Sequence, residues 1–148
     1  MEIKTLAKRC IEAIKRNNFI FIFGNGGSSV QSLHFSGELL GRFKKDRKPL
    51  PCISLVGDIA AITAIANDFG YENIFIRQLQ ALGKKGDIAI GLSTSGKSRN
   101  VNLALDWGKK NGLVVCDFER VGDSTAEIQE NQLVALHELA KMIEEAFL

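Results

Sequence analysis

The sequence has few of the residues that usually carry chemistry or cross-links. Its 148 residues include two histidines, three cysteines, two prolines, one tryptophan and one tyrosine. The cysteines, Cys10, Cys52 and Cys116, are odd in number, widely spaced and flanked by apolar residues. That pattern argues against a disulfide framework and predicts buried, reduced thiols in a reducing cytosol. A reactive nucleophile is the weaker alternative, because no histidine neighbours any of the three in the sequence.

A strong charge of one sign and long apolar runs are also absent. Lysine and arginine number 19 and aspartate and glutamate number 17, so the net charge is +2. This balance gives no reason to expect nucleic acid or an acidic membrane surface as a partner. No run approaches the ~18 apolar residues of a membrane span, and the N-terminal stretch lacks the apolar core of a signal peptide. We therefore expect a cytoplasmic protein that binds neither nucleic acid nor membrane.

Short apolar runs alternate with helical patterns along the chain. The runs "FIFIF" (19–23), "CISLV" (52–56), "GDIAIGLS" (86–93) and "GLVVCDF" (112–118) are typical of strands buried in a parallel sheet. Helical spacing of apolar residues falls between them and at both ends, over 2–16, 29–42, 59–67, 73–82, a stretch ending near 110, and 124–146. The alternation predicts an α/β fold, a three-layer doubly wound parallel sheet flanked by helices, flavodoxin-like or Rossmann-like. We expect residues 1–148 to form one domain with a short N-terminal helix.

Two of these strands lead directly into small polar loops, which is where such sheets bind ligands. The first loop is "GNGGS" (24–28), and the second contains Ser93, Thr94, Ser95 and Ser98. Hydroxyl groups and free N–H groups at a helix start favour an anion, so the second loop predicts a phosphate cradle. Capping of the following helix by one of these hydroxyls is the simpler alternative. The first loop is not a complete G-x-G-x-x-G, so it hints only weakly at a dinucleotide.

Both histidines fall inside helical patterns. His34 precedes Glu38 by four residues, so the two side chains share one face of a helix. That spacing suits two ligands of one metal ion or a ligand beside a base, although a surface contact is the usual meaning of such a pair. His137 lies in the middle of the last helical pattern. From the residues alone, His34 holds either a metal or only a hydrogen bond.

Five motifs carry a family resemblance, in order and with consistent spacing from about residue 19 to the C-terminus. They are "GNGGS", "HFSGELLGRF", "ANDFG", "GLSTSGKSRNV" and "DSTAEIQENQLVALHEL". Together they resemble the phosphoheptose isomerases of the sugar-isomerase (SIS) domain family. The resemblance implies a reversible aldose–ketose isomerisation, from sedoheptulose 7-phosphate to D-glycero-D-manno-heptose 7-phosphate, a precursor of the bacterial lipopolysaccharide core or of other heptosides. It also implies a homotetramer with active sites at subunit interfaces, and one zinc ion per subunit.

The resemblance further implies a set of site residues. The family's metal ligands correspond to His34, Glu38, Gln129 and His137. Its sugar contacts correspond to Asn25, Gly26, Gly27, Asn67 and Asp68, with Glu38 and Gln129 also at the substrate, and its phosphate loop to Ser93, Thr94, Ser95 and Ser98. Glu38 would be the acid/base that moves the proton between C1 and C2, and His137 its partner. Arg42 and Thr125 also fit the pattern, with less definite roles.

The spacing of two of these residues is difficult to reconcile with a single metal ion. Gln129 and His137 are eight residues apart, which is roughly 12 Å of rise along one helix. A single ion between them is near the limit of reach, so either they straddle it or a neighbouring subunit completes the site. Gln132 stands where some relatives have histidine, which affects the finer acid–base network rather than the metal ligands.

The chain also departs from the family in length. Its N-terminal helix is short, and the stretch between the fourth strand and the last helix lacks a strand–helix unit of roughly twenty residues that relatives have. Either that unit is deleted, or a segment near residues 115–117 is omitted from this sequence, and we favour omission. The rival hypothesis for function is a non-catalytic SIS-domain protein that binds a replication initiator or senses sugar phosphates. Such a protein should lose the acid–base pair, whereas Glu38 and His137 are present here.

Overall fold

The computed structural model describes residues 1–148 and contains four strands and six α-helices. The strands are β1 (Ile20–Gly24), β2 (Cys52–Ser54), β3 (Ile88–Leu92) and β4 (Val114–Asp117). The helices are α1 (Ile3–Lys15), α2 (Gly27–Leu40), α3 (Ile59–Phe69), α4 (Ile76–Leu82), α5 (Arg99–Lys110) and α6 (Thr125–Glu145), with a 3₁₀ helix over Tyr71–Asn73. All four predicted strands and all six predicted helices are confirmed, with differences of a few residues at their ends. None of the helices combines the length and apolar composition that a membrane crossing requires.

The four strands form one parallel sheet in the order β2-β1-β3-β4. Alternating residues of β1 point to opposite faces, as the pleat of a strand requires. Ile20 and Ile22 pack with residues of α1, α2 and α6, whereas Phe21 and Phe23 pack with residues of α4 and α5. Helices therefore cover both faces of the sheet, which confirms the three-layer doubly wound fold.

The three cysteines lie in the core, as the sequence predicts. Cys10, Cys52 and Cys116 are unpaired and buried, and all belong to the core on the α1–α2–α6 face of the sheet. Burial raises the pKa of Cys52 to about 12 and that of Cys116 to about 11. Thiols with such raised pKa values stay protonated at neutral pH, so they act as small apolar side chains and not as nucleophiles.

Helix α2 packs alongside α6, and three contacts define the direction of the pair. Gln31 donates to the backbone oxygen of Gln129, His34 meets His137, and the backbone N–H of Phe43, just beyond α2, donates to Glu144. Residue numbers rise together along both helices, so the two helices run parallel. This arrangement lets positions on α2 meet positions about 100 residues later.

The fourth strand leads almost directly into the last helix. Strand β4 pairs in parallel with β3 at the edge of the sheet, and residues 118–124 then reach α6. Ser124 caps α6 by accepting a hydrogen bond from the N–H of Glu127, and Glu127 accepts one from the N–H of Asp123. Within the described chain there is thus no further strand–helix unit between β4 and α6.

Candidate active site

The carboxyl ends of β1 and β3 bring the two polar loops together. Gly24, the last residue of β1, lies opposite Leu92, the last residue of β3. A side chain at Gly24 has no room, because its Cβ would lie 2.7 Å from the backbone oxygen of Leu92. The close approach of these two strands places residues 25–28 beside residues 93–98.

The loop after β3 is held by its own hydroxyl groups. Ser93, which is buried, lies 3.1 Å from the hydroxyl of Ser98 and 3.4 Å from that of Ser95. The N–H of Gly96 donates to Ser93 Oγ, and the N–H of Lys97 donates to Ser95 Oγ. Ser98 precedes α5 but makes no capping hydrogen bond with its side chain. The loop thus clusters three hydroxyls at the start of a helix, an arrangement that suits an anion.

Arg120 also reaches this loop. Gly96 has a φ of +68°, and a Cβ built on it would lie 2.9 Å from Arg120 Cζ, so the guanidinium lies directly against this glycine. Asp117 holds Arg120 through two hydrogen bonds of 2.7 Å, which raise the pKa of the guanidinium. The short connection after β4 therefore adds a fixed cation beside the hydroxyl cluster.

Three side chains from α2 and α6 converge at one point. His34 Nε2 lies 3.0 Å from Glu38 Oε1 and 3.2 Å from His137 Nε2, and His137 Nε2 lies 3.2 Å from the same Glu38 oxygen. The i,i+4 spacing aligns His34 with Glu38, and the parallel packing of α2 and α6 brings in His137. Glu38 is the most enclosed of the three, with its side chain 13% exposed against 49% for His34 and 39% for His137.

The donor set of this cluster fits a metal ion. Two ligand atoms at 2.0–2.1 Å from a tetrahedral Zn²⁺ lie about 3.3 Å apart, close to the three separations between His34, Glu38 and His137. Glu38 Oε2 is buried and has no hydrogen-bond partner, so the carboxylate has unused capacity. The same geometry also allows Glu38 Oε1 to accept a hydrogen bond from each imidazole, depending on the histidine tautomers.

Gln129 is the fourth residue that the resemblance implies as a metal ligand. It lies near the start of α2 and α6, about two turns of α6 before His137. A Cβ on Gly27 would collide with the side-chain amide of Gln129, so the two residues touch at the start of α2. Gln31 donates a 2.7 Å hydrogen bond to the backbone oxygen of Gln129. Gln129 thus faces the glycine loop, while His137 faces His34, in line with their separation along α6.

Asn25 is hydrogen-bonded to two residues, Asn100 and Tyr71, to which the family resemblance gives no role. It forms a reciprocal pair of 2.8 Å amide hydrogen bonds with Asn100, and Tyr71 donates from its hydroxyl to Asn25 Oδ1 at 2.8 Å. Gly26, the next residue, has a φ of +55°, a conformation that glycine adopts most readily. Sequence patterns do not reveal this group, since its members come from the loop after β1, the 3₁₀ helix and the start of α5.

The other residues implied by the resemblance lie on the surface. Asn67 and Asp68 are exposed near the end of α3, where Asn67 donates to Asp68. Arg42 and Thr125 are also exposed. Thr94 and Ser95 lie at the rim of the hydroxyl loop, where Thr94 is half-buried and Ser95 exposed. Within one chain these residues do not join the His34–Glu38–His137 cluster.

A buried ion pair fixes the loop after α2 beside the cluster. Glu144 accepts 2.9 Å hydrogen bonds from the N–H groups of Phe43, Lys44 and Lys45. Arg47 lies 3.4 Å from Glu144 and donates to the backbone oxygen of Glu38 at 2.7 Å. The sequence gives no signal for this pair, because Arg47 stands in the basic stretch "RFKKDRK" (42–48), where exposed side chains are the ordinary expectation.

Comparison with known proteins agrees with this fold and shows the family. A sequence model of the SIS domain matches residues 1–117. Over 161 aligned residues, the chain is 42% identical to a phosphoheptose isomerase of Nitratiruptor sp., with 98% of this chain and 86% of the relative covered. It is 41% identical to phosphoheptose isomerase 1 of Campylobacter jejuni, with 99% and 87% covered. The chain therefore belongs to the SIS-domain family, among the phosphoheptose isomerases.

Solved structures give the same picture. A phosphoheptose isomerase from Francisella tularensis superposes with a TM-score of 0.89 at 31% identity, over 97% of this chain and 85% of that one. The corresponding enzyme from Neisseria gonorrhoeae gives 0.87 at 29% identity, with the same shares covered. The alignment with the Nitratiruptor relative spans 161 residues against 148 in the whole chain, so that relative has at least 13 internal residues without a counterpart here.

Proposed function

We propose that this protein is an aldose–ketose isomerase that converts sedoheptulose 7-phosphate to D-glycero-D-manno-heptose 7-phosphate through an enediol. The observation that carries the proposal is the convergence of His34, Glu38 and His137 in a chain about 40% identical to phosphoheptose isomerases. A rival SIS-domain binding protein has no need of such a cluster, so the rival is not favoured.

The substrate's phosphate binds at the loop after β3 in this proposal. Ser93, Ser95 and Ser98 offer clustered hydroxyls, and Thr94 lies between them. Binding energy from the phosphate can orient the rest of the sugar toward the acid–base residues. Asn25, Gly26 and Gly27 of the first loop, with Asn67, Asp68 and Gln129, are the proposed sugar contacts.

Glu38 and His137 carry the proton transfers in this proposal. Isomerisation needs a base for the proton on the carbon next to the carbonyl and a proton donor for the oxygens. Glu38 takes the proton between C1 and C2, and His137 acts as its partner, since its Nε2 lies 3.2 Å from Glu38 Oε1. Positioned acid–base groups of this kind typically contribute about 10²- to 10⁴-fold in rate.

Zinc, one ion per subunit, is the proposed cofactor. His34, Glu38 and His137 would hold it, with Gln129 as the further ligand implied by the family resemblance. When bound, such an ion can polarise a carbonyl oxygen or anchor sugar hydroxyls. The support lies in the three short separations and in the unpartnered Oε2 of Glu38.

The proposed assembly is a cytoplasmic bacterial homotetramer with active sites at subunit interfaces, feeding lipopolysaccharide-core or other heptoside synthesis. Helix α3 supports an oligomer, because the sequence "IAAITAIANDF" is largely apolar and none of its residues is buried in a single chain. Ile59 is 74% exposed and Phe69 52% exposed. An interface that covers α3 would also bring Asn67 and Asp68 toward another chain. Light scattering coupled to size-exclusion chromatography tests the tetramer.

Residues 1–148 are proposed to form a single SIS domain with a segment omitted near residues 115–117. The intact mass of the protein separates the two explanations for the short connection after β4. A mass above the 16.2 kDa of this sequence supports an omitted segment. A matching mass shows a genuine four-stranded variant.

The activity has a direct test. The purified protein, supplied with zinc, is mixed with sedoheptulose 7-phosphate, and the aldose product is followed by chromatography or NMR. We expect turnover to the heptose 7-phosphate. An absence of turnover, together with tight binding to a replication initiator, would overturn the proposal in favour of the binding protein.

A further inference from the structure

The side-chain amide of Asn25 is held in one orientation by a chain of hydrogen bonds. The backbone N–H of Val101 donates to Asn100 Oδ1 at 2.9 Å, so this atom of Asn100 must be the oxygen. The amide nitrogen of Asn100 must then face Asn25, and it donates to Asn25 Oδ1 at 2.8 Å. In return Asn25 Nδ2 donates to Asn100 Oδ1 at 2.8 Å. A backbone group at the start of α5 thus determines which way the amide of Asn25 points.

Tyr71 holds the same amide from a different element of the fold. Its hydroxyl donates to Asn25 Oδ1 at 2.8 Å in the orientation that Asn100 sets. A phenol hydroxyl can also accept a hydrogen bond, so Tyr71 occupies this oxygen without itself selecting the end of the amide that faces it. Asn100 is 3% exposed and comes from α5, whereas Tyr71 is 57% exposed and comes from the 3₁₀ helix after α3. Asn100 therefore sets the polarity of the Asn25 amide, and Tyr71, from a second element of the fold, occupies the remaining lone pair of its oxygen.

Counting donors and acceptors shows what Asn25 can still offer a ligand. An amide oxygen has two lone pairs, and Asn25 Oδ1 already accepts from Asn100 and from Tyr71. The amide nitrogen has two N–H groups, and Asn25 Nδ2 uses one of them on Asn100. What remains free is one N–H donor, so Asn25 can recognise an acceptor oxygen.

We propose that Asn100 and Tyr71 are positioning residues that fix Asn25 as a hydrogen-bond donor to an oxygen of the sugar. This inference rests on the proposed function and deepens it. The carbonyl oxygen of an open-chain sugar accepts hydrogen bonds and gains negative charge in an enediol-forming step, so a fixed donor stabilises it without reorganisation. A donor that could rotate to present its oxygen would lose this effect.

Two cavities border Asn25. A sugar whose phosphate binds at the loop of Ser93, Ser95 and Ser98 would extend into them. One cavity of about 240 Å³ is lined by Asn25, Tyr71 and Asn100 together with Ser98 of that loop. A second of about 190 Å³ is lined by Asn25, Tyr71 and Gly26, with apolar residues of the α3–α4 side behind them. Asn25 and Tyr71 border both cavities, next to Ser98 of the phosphate-binding loop in one and next to Gly26 in the other.

A double-mutant cycle tests the proposal. Tyr71→Phe keeps the ring and removes the hydroxyl, and Asn100→Ala removes the paired amide. Tyr71→Phe leaves Asn100 to define the polarity of Asn25, whereas Asn100→Ala leaves only Tyr71 to hold the amide in place. We therefore expect kcat/KM for sedoheptulose 7-phosphate to fall about 3-fold and about 10-fold respectively. The double variant removes both partners, and we expect a loss at least threefold greater than the product of the single losses, as for side chains in one network.

Inhibition by inorganic phosphate provides the second measurement. The hydroxyl loop binds phosphate without Asn25, so the inhibition constant for inorganic phosphate should be unchanged in all three variants. Losses that simply multiply would overturn the proposal, and so would a parallel weakening of phosphate inhibition. Asn111→Ala, at the opposite end of α5, is the matched control and should keep wild-type kinetics.

Two further measures keep the outcome interpretable. If thermal melting shows that Asn100→Ala does not fold, Asn100→Ser replaces it, since Ser retains an oxygen near the N–H of Val101. If the wild-type protein does not turn over sedoheptulose 7-phosphate, the proposed function fails. The same cycle is then measured by calorimetric binding of that sugar phosphate, where additive losses still overturn the positioning role.

Discussion

Glu38 and Glu144 lie along the same pair of helices, α2 and α6, yet their surroundings are opposite. Glu144 is 2% exposed, accepts three backbone N–H groups and lies beside Arg47. Glu38 has one oxygen facing two histidines and the other buried without a partner. A carboxylate that holds a fold together is saturated by fixed donors, whereas one kept for chemistry retains capacity for a proton, an ion or a substrate.

The largest effect we expect comes from removing the charge of Glu38. Glu38→Gln should lower kcat by about 10²- to 10⁴-fold, because the base is lost while the shape is retained. His137→Gln should have an effect of similar size. The melting temperature should stay the same or rise, since Glu38 has a buried oxygen that nothing satisfies. Steady-state kinetics and thermal melting check both statements, and near-full activity in either variant would contradict the assigned roles.

Glu144→Gln should lower the stability of the fold and leave kcat nearly unchanged, which is the reverse of the result expected for Glu38→Gln. A neutral amide retains one oxygen for the three N–H groups and turns a donor toward them, and Arg47 loses its counter-charge. We expect a loss of about 2–4 kcal/mol in the free energy of unfolding, the range for a broken buried charge network. For a chain of this length that corresponds to a melting temperature lower by roughly 6–12 °C.

The control for this comparison is the activity of the folded fraction. Well below its melting temperature, Glu144→Gln should keep kcat within a few-fold of the wild-type value, because the Glu144 carboxylate contacts the loop after α2 and not the histidine cluster. A loss of kcat as large as that of Glu38→Gln would remove the distinction between the two glutamates.

Metal binding should also distinguish the Glu38 site from the Glu144 network. A ligand that binds only the folded state stabilises it by about 2.7 kcal/mol at a hundred times its Kd. Zinc should therefore raise the melting temperature of the wild type and of Glu144→Gln, but not of His34→Ala or His137→Ala. Elemental analysis after dialysis should find about one zinc per chain in the first two proteins. An equal shift in all four would place the metal elsewhere.

The secondary structure and half of the histidine cluster could be predicted from local sequence patterns. Strands and helices follow from the apolar runs, and the i,i+4 spacing brings His34 to Glu38. Convergence with His137 depends on the parallel packing of α2 and α6, which no local pattern encodes, and only the family resemblance anticipated it. The roughly 12 Å rise between Gln129 and His137 agrees with their positions along α6, where Gln129 lies against Gly27 and His137 against His34.

The contacts that sequence reasoning missed share one physical origin. Asn100, Tyr71 and Arg120 come from elements far apart in the chain, and their side chains contact the loops that follow β1 and β3. Glu144 and Arg47 are charged residues in amphipathic or basic stretches, where exposure is the ordinary expectation. Their burial depends on the loop after α2 folding back onto α6, and the order of residues alone does not specify that.

The smallest effect we expect is the response to acid. Burial raises the pKa of the Glu144 carboxyl, but the N–H groups of residues 43–45 and the charge of Arg47 outweigh it, so the pKa is lowered overall. A carboxyl with a lowered pKa stabilises the fold above its unfolded value of about 4.3, and this stabilisation is lost as the pH falls through the lower folded value. Stability of the wild type should therefore decline below about pH 4.3.

The difference in melting temperature between the wild type and Glu144→Gln should shrink over the same acid range, because the variant has no carboxyl at this position to protonate. A gap between wild type and Glu144→Gln that stays constant down to pH 3 would mean that side-chain shape, and not the negative charge of Glu144, holds the loop after α2 in place.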